Sequence, residues 1–166
     1  MVLLWAAMTG EASAHLQCVP YARRLSGIEI HGDARTWWQQ AKGRYQRGSI
    51  PKAGAVIAFA ATNAMPLGHV AVIDEVVDAR HVLIDHANWS APGMIEHRVL
   101  AEDVSSDGDW SLVRIFYAPI GGLGARSNPV RGFIYPNAEN VSPAPSPIEI
   151  ARADQPEAAL RNVPGG

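Results

Sequence analysis

The order in which helical and strand-like patterns occur along the chain constrains its fold more than any other feature. The first third of the sequence predicts two helices. One runs from Cys18 to about Leu25, with Ser26-Gly27 as its stop signal, and the second lies between Asp33 as N-cap and Gly43 as C-terminal stop. From Ala55 onward the apolar residues instead recur with a period of two, which predicts strands.

Five strands are predicted after the helices. They cover residues 55–60, 68–77, 81–86, 94–100 and 111–117. The tight connection at 78–80 makes the second and third of them a hairpin. Because helices come first and strands follow, instead of alternating, the pattern predicts an α+β domain with an antiparallel, barrel-like sheet of about five strands.

The 166 residues divide into one domain and two flanking segments. Residues 1–14 form a candidate signal or apolar lead-in, 15–120 the domain, and 121–166 an extension with a Pro-rich flexible tail. Ala12-Ser13-Ala14 has the form of a signal-peptidase site, but a positive n-region is lacking. We therefore expect a secreted or periplasmic protein whose true start lies upstream, with an apolar lead-in to the first helix as the alternative.

Charge and composition limit the classes of partner. The net charge is −2 and charged residues make up 18% of the chain, so no nucleic-acid footprint is visible. The apolar opening stretch is too short to span a bilayer, and we expect no stable membrane insertion. No cofactor is expected, and the sequence does not determine the oligomeric state.

Cys18 is the only cysteine in the chain. It therefore makes no internal disulfide, and a structural zinc site with one thiolate is improbable. The remaining roles are a buried bystander, which is common for free cysteines, or a nucleophile. At a helix start the dipole and the free N–H groups stabilise a thiolate, which predicts a lowered pKa, and the same N–H groups can hold an oxyanion. We therefore interpret Cys18 as the nucleophile.

Among the six histidines, His69 fits best as the base for Cys18. It opens the long strand, where a side chain can face the first helix. On the same face of the partner strand, His86 or Asn88 can accept the Nδ1 proton of His69 and fix its tautomer, whereas Asp85 can do so only if a bulge intervenes. The set His69, His86 and Asp85 has metal-ligand types but no recognisable spacing, so no metal site is expected.

These residues together carry a resemblance. The order is Gln17-Cys18, then Gly32-Asp33-Ala34 with Trp38 and Ala41, then Pro51-x-x-Gly54-Ala55-Val56-Ile57, then Gly68-His69-Val70-Ala71-Val72-Ile73, then His86-Ala87-Asn88-Trp89. Over about residues 16–117 the chain resembles the CHAP family, the cysteine- and histidine-dependent amidohydrolases/peptidases of the NlpC/P60 superfamily. The resemblance implies a papain-like fold and cleavage of amide bonds in bacterial peptidoglycan.

By position, the resemblance makes Cys18 the nucleophile, His69 the base and Asn88 the asparagine of the family's third motif. CHAP domains commonly have a glutamate where this chain has His86. A third histidine is common in the NlpC/P60 branch, so a Cys-His-His arrangement stays compatible. It would lack the carboxylate that stabilises an imidazolium.

The expected reaction is amide cleavage through a thioester on Cys18. Candidate substrate-binding residues are Gln17, Tyr21, Trp37 and Trp89, together with the loop 63–67. Two other functions stay open. One is a catalytically weak cell-wall-binding module of the same fold, and the other is a cytosolic amidase or acyltransferase acting on a small γ-glutamyl-type metabolite.

Overall fold

The computed structural model of the chain describes residues 17–137. The predicted lead-in at 1–14 and the part of the predicted tail beyond residue 137 lie outside the described residues. The described part contains two helices, α1 (Cys18–Ser26) and α2 (Ala34–Gln40), and a 3-10 turn at Ala118–Ile120. Its strands are β1 (Gln46–Gly48), β2 (Val56–Phe59), β3 (His69–Val76), β4 (His81–Ala87), β5 (Ile95–Asp103), β6 (Leu112–Tyr117), β7 (Gly122–Leu123) and β8 (Asn128–Tyr135).

The strands form one antiparallel sheet that closes on itself. Their order is β1-β8-β2-β3-β4-β5-β6-β7, and an additional pairing of β8 with β6 completes a ring. The predicted α+β fold with a barrel-like antiparallel sheet is therefore confirmed. The described sheet has eight strands, not about five, because the sequence analysis did not find β1, β7 and β8.

The strand β8 is the main difference from the expected domain boundary. It contains Pro129 and Gly132, and both residue types weaken a strand prediction. In the structure β8 pairs with β1, β2 and β6, and Phe133 and Ile134 are fully buried. The first part of the segment that we assigned to an extension after residue 120 thus belongs to the sheet.

The alternating pattern of β2 divides the apolar side chains between two clusters. Ile57 and Phe59 point into the barrel, where they pack with Ile73, Ile84 and Phe133. Val56 and Ala58 point outward beneath the helices, where they pack with Ile28, Trp37 and Val70. Burying each large apolar side chain stabilises the folded state by about 1.5–3 kcal/mol. The helices are therefore fixed against one wall of the barrel, formed by β2, β3 and β4.

Among residues 17–137 no helix is long and apolar enough to cross a membrane.

Candidate active site

A cavity of about 1140 Å³ opens where the start of α1 meets the start of β3. Cys18 from α1 and His69 from β3 both line it, as do Asn88 and Trp89 just after β4. The loop before β3 contributes residues 64–67, so this part of the predicted 63–67 groove wall does face the cavity. The structure therefore brings the proposed nucleophile and base to one cavity.

The thiol of Cys18 is half-buried at the first residue of α1. Burial raises the pKa of Cys18, and the backbone N–H groups of Val70, Val19 and Cys18 itself lower it only in part. The net direction is upward, so the expectation of a lowered pKa at this helix start is wrong. The reason is that desolvation disfavours the thiolate more than these dipoles favour it.

Gly68 fixes the position of His69. Its φ is +71°, and a Cβ at this residue would lie 2.8 Å from the backbone nitrogen of Arg35 and 3.1 Å from the carbonyl oxygen of Phe59. Only glycine fits this close approach without strain. The same contact includes a hydrogen bond of 2.7 Å from Arg35 N–H to the carbonyl oxygen of Leu67. The chain thus enters β3 pressed against the start of α2, and His69 is held with little freedom.

His86 is the candidate that the structure places against His69. Nε2 of His69 lies 3.1 Å from Nδ1 of His86, and the two rings meet edge to face. The contact that the sequence predicts at Nδ1 of His69 is instead made by Nε2. Both side chains are buried, and burial, with a smaller electrostatic contribution from His86, holds the pKa of His69 well below its usual range.

Asp85 does not approach His69. Its Oδ1 accepts a hydrogen bond of 2.7 Å from the backbone N–H of Arg98 and lies 3.6 Å from Nδ1 of His97. Asp85 therefore faces the opposite side of β4 from His86, as the alternation along a strand requires.

Glu96 was not predicted as a site residue from the sequence. It lies on β5 directly opposite His86, and its Oε2 is 3.2 Å from Nε2 of His86, although the alignment falls short of a hydrogen bond. Ser90 fixes this carboxylate by donating from its backbone N–H (3.2 Å) and from Oγ (2.7 Å). The available signal was a glutamate inside a predicted strand that neighbours the His86 strand, but the register between them was needed to use it.

Asn88 and Gln17 form a second polar contact at the cavity. The backbone N–H of Gly93 donates to Oδ1 of Asn88 (2.9 Å), and Nδ2 of Asn88 donates to Oε1 of Gln17 (3.0 Å). Since a backbone N–H can only donate, this chain of bonds fixes both amide orientations. Nε2 of Gln17 is left without a hydrogen-bond partner among residues 17–137. Asn88 thus orients Gln17 and makes no hydrogen bond to His69.

Two predicted substrate-binding residues are corrected, and two lie where they were expected. Gln17 and Trp89 line the cavity, and the Trp89 ring lies 4.9 Å from the His69 ring centre. Tyr21 is only 1% exposed, and its hydroxyl lies 3.2 Å from Nδ1 of His97. Trp37 is fully buried under the helices. Both side chains are buried in the protein interior, and neither lines the cavity.

The charged side chains around the cavity are few. Asp33 and Arg126 line it, and Asp33 is paired with Arg35 at 3.1 Å. Within the described range 17–137, no group of three His, Cys, Asp or Glu side chains is placed to hold a metal ion.

Comparison with known proteins supports the resemblance. The CHAP domain model matches residues 8–88. The resemblance to the CHAP family noted from the sequence is confirmed, and the match includes Cys18, His69, His86 and Asn88 but ends before Glu96. No curated protein matches the chain.

Two solved structures are similar to this chain. One is an N-acetylmuramoyl-L-alanine amidase from Staphylococcus aureus, with 29% identity and a TM-score of 0.47, covering 60% of this chain and 29% of the other. The other is Ly7917 with the hydrolyzing product of MDP, with 15% identity and a TM-score of 0.40, covering 72% of this chain and 53% of the other. The chain therefore spans less than a third of the first protein and about half of the second.

Proposed function

We propose that this chain is a cysteine hydrolase that cleaves amide bonds in bacterial peptidoglycan. The observation that carries the proposal is the placement of Cys18 and His69 in one cavity of a CHAP domain, with His69 held from behind by His86. A nucleophile and a base that is itself oriented by a third group are the parts that nucleophilic amide cleavage needs.

The reaction begins from an uncharged pair. The pKa of Cys18 is raised and that of His69 is lowered, so near neutral pH both groups are neutral. Since Nε2 of His69 faces His86, Nδ1 is the nitrogen that takes the thiol proton as sulfur attacks the amide carbonyl. The C–N bond then breaks, His69 returns the proton to the leaving amine, and a thioester forms on Cys18. Water, deprotonated by His69, hydrolyses the thioester and restores the thiol.

The developing oxyanion needs donors beside the sulfur atom. The backbone N–H groups at the start of α1 are close to the thiol, and Nε2 of Gln17 is a further donor at the same end of the cavity. Because Asn88 holds Oε1 of Gln17, the carboxamide presents its NH₂ group and not its oxygen. Gln17 is therefore proposed to bind the carbonyl oxygen of the scissile amide.

The cavity has the size and the lining of a binding cleft. Its walls include residues 64–67, Trp89, Tyr117 and Ile120. Leu67 and Ile120 are among the most exposed large apolar side chains described, at 55% and 63%. Apolar walls with few polar groups are typical of a binding cleft. Secretion or a periplasmic location is part of the proposal, since the substrate lies outside the cytoplasmic membrane.

The test is digestion of purified peptidoglycan, followed by loss of turbidity and by released free amines. We expect the wild-type protein to clear the suspension and Cys18→Ala to abolish clearing. His86→Asn is expected to slow the reaction, whereas His81→Asn, at the far end of the same strand, serves as the matched control. Pelleting of an inactive wild-type protein with the wall would instead indicate a binding module. Release of amine only from small γ-glutamyl compounds would indicate a metabolite amidase.

A further inference from the structure

Three buried titratable side chains lie in a row across three neighbouring strands. They are His69 on β3, His86 on β4 and Glu96 on β5, and they are 3%, 0% and 7% exposed. The contacts are 3.1 Å between Nε2 of His69 and Nδ1 of His86, and 3.2 Å between Nε2 of His86 and Oε2 of Glu96. The row leads from the cavity into the sheet and ends at a carboxylate.

The carboxylate at the end of the row determines which nitrogens carry protons. An ionised glutamate can only accept, so the 3.2 Å contact favours the form of His86 that carries a proton on Nε2, the nitrogen that faces Glu96. A neutral His86 then has its lone pair on Nδ1 and accepts from Nε2–H of His69. A neutral His69 consequently has its lone pair on Nδ1. Glu96 thus selects, through two rings, the tautomer in which Nδ1 of His69 can accept the Cys18 proton.

Glu96 is held in its charged form. Burial raises its pKa, but the contacts from His86 and Ser90 outweigh burial, and the net pKa lies below the usual range. Ser90 is itself fixed, because its Oγ accepts a hydrogen bond of 3.0 Å from the backbone N–H of Ala118. The negative charge is therefore permanent near neutral pH and stationary.

The row of His69, His86 and Glu96 also supplies a negative charge near the buried His69. His69 is fully enclosed, and protonating it during catalysis places a positive charge in a poorly solvated site. Because residue 86 is a histidine and not a carboxylate, the compensating negative charge comes from Glu96 on the neighbouring strand β5. The other titratable groups around the cavity are Cys18 from α1, Asp33 before α2, Tyr117 at the end of β6 and Arg126 after β7. Asp33 is paired with Arg35, and Asp85 faces away from His86.

We propose that Glu96 is a positioning residue that acts through His86 to fix the tautomer of His69 and to stabilise its protonated form. This inference rests on the proposed function for its catalytic consequence, but the coupling between Glu96 and His69 exists in the resting protein and is measured without substrate.

The first test is nitrogen NMR of histidine-labelled protein, in which the two tautomers of His69 give distinct shifts. We expect the wild type to show protonated Nε2 at His69, and Glu96→Leu to convert a large part of it to the other tautomer. Glu102→Gln is the matched control, because Glu102 is also on β5, opposite His81, with Oε1 3.6 Å from the ring. An unchanged His69 tautomer in Glu96→Leu, or the same change in Glu102→Gln, overturns the proposal.

The second test measures kcat and KM against pH for Glu96→Gln, which keeps the size of the side chain and removes its charge. We expect kcat to fall roughly 10- to 100-fold, with little change in KM. In a His86→Asn background the same substitution is expected to have little further effect, because the path from Glu96 to His69 is already broken. Equal losses in both backgrounds, with unchanged pH profiles, contradict a role through His86.

The two proposals fail differently. If the wild type cuts no peptidoglycan but the His69 tautomer still depends on Glu96, the proposed function is wrong and the coupling stands. If peptidoglycan is cut, but neither the His69 tautomer nor the pH profile changes when Glu96 is substituted, the proposed coupling between Glu96 and His69 is wrong and the proposed function stands. Thermal unfolding of each variant identifies any substitution that simply destabilises β5. If Glu96→Leu is destabilised, the kcat and pH profile of Glu96→Gln decide, because the glutamine oxygen can still accept from His86 and only the charge is removed.

Discussion

At the scale of single residues, the reactive pair lies in surroundings that disfavour both of its charged forms. Burial raises the pKa of Cys18 and lowers that of His69. Had the thiolate–imidazolium pair been the resting state, the two shifts would have the opposite signs. In the proposed reaction, the proton therefore moves during the attack on the substrate and not before it.

This resting state predicts how Cys18 reacts with iodoacetamide. The thiolate is the reacting species, so the alkylation rate is expected to be low at neutral pH and to rise as the pH passes above the raised pKa. Alkylation measured by mass spectrometry from acid to alkaline pH tests this, since the chain has one cysteine. The denatured protein provides the reference, and its midpoint is expected at lower pH. A rate that stays high below neutral pH would indicate a resting ion pair.

A second residue-scale prediction concerns the Gln17 carboxamide. Asn88→Asp replaces the Nδ2 donor by an oxygen, so Gln17 must turn its NH₂ group toward residue 88 and its oxygen toward the cavity. An oxygen there repels the developing oxyanion, and removing one such donor costs about 10²–10³ in kcat. Steady-state kinetics on peptidoglycan measures the loss. Asn88→Gly, which tolerates the φ of +63° at this residue, is the control and is expected to lose less.

Sequence reasoning at this scale identified residues whose role depends on order along the chain. Cys18 at a helix start and His69 at a strand start follow from local signals. The contribution of Glu96 depends on the register between β4 and β5, and that register contains an irregularity between Ile84 and His86 that alternation alone does not predict. Tyr21 was misplaced because a sequence does not show which part of a helix the core covers.

At the scale of elements, the junction between loop and β3 determines where the base lies. Gly68 combines a positive φ with backbone atoms at 2.8 and 3.1 Å from where a Cβ would be. A side chain there must push away the backbones of Arg35 at the start of α2 and Phe59 at the end of β2.

Gly68→Ala is therefore expected to destabilise the protein by about 1–3 kcal/mol beyond the cost of a positive φ alone. Gly43→Ala is the matched control, since Gly43 has a φ of +75° and nothing within 4 Å of its Cβ position. Denaturant unfolding of the two variants gives the difference in the free energy of unfolding. Equal losses would show that backbone strain, and not the close approach, explains the role of Gly68.

Most of the helices and strands were predicted from the sequence. The strands that were not predicted were missed for physical reasons. The predicted first helix, at 18 to about 25, matches α1 within one residue, and the strand predicted at 94–100 is β5, which continues to Asp103. β1 has three residues and β7 has two, which is too short for a period-two hydrophobic pattern to be recognised. These strands are defined by the strands that they pair with. In β8 the Pro129 and Gly132 positions break the period-two signal, although Gly132 is needed where Trp38 and Gly48 approach.

At the scale of the whole molecule, β8 is the strand that closes the barrel. It lies between β1 and β2 in the sheet and also pairs with β6, so both ends of the ring meet on it. Residues that follow the predicted boundary at 120 therefore hold together a sheet whose other long strands all precede that boundary.

Ending the chain after Ile120 is expected to abolish cooperative folding, whereas ending it after Asn137 is expected to preserve it. The shorter chain loses the burial of Phe133 and Ile134, about 3–6 kcal/mol in total, and the backbone hydrogen bonds of β2 and β6 with β8. Since a domain has only about 5–15 kcal/mol of stability, this loss removes most of it. Circular dichroism during heating distinguishes the two chains. A cooperative transition in the chain ending at Ile120 would show that the ring folds without its closing strand.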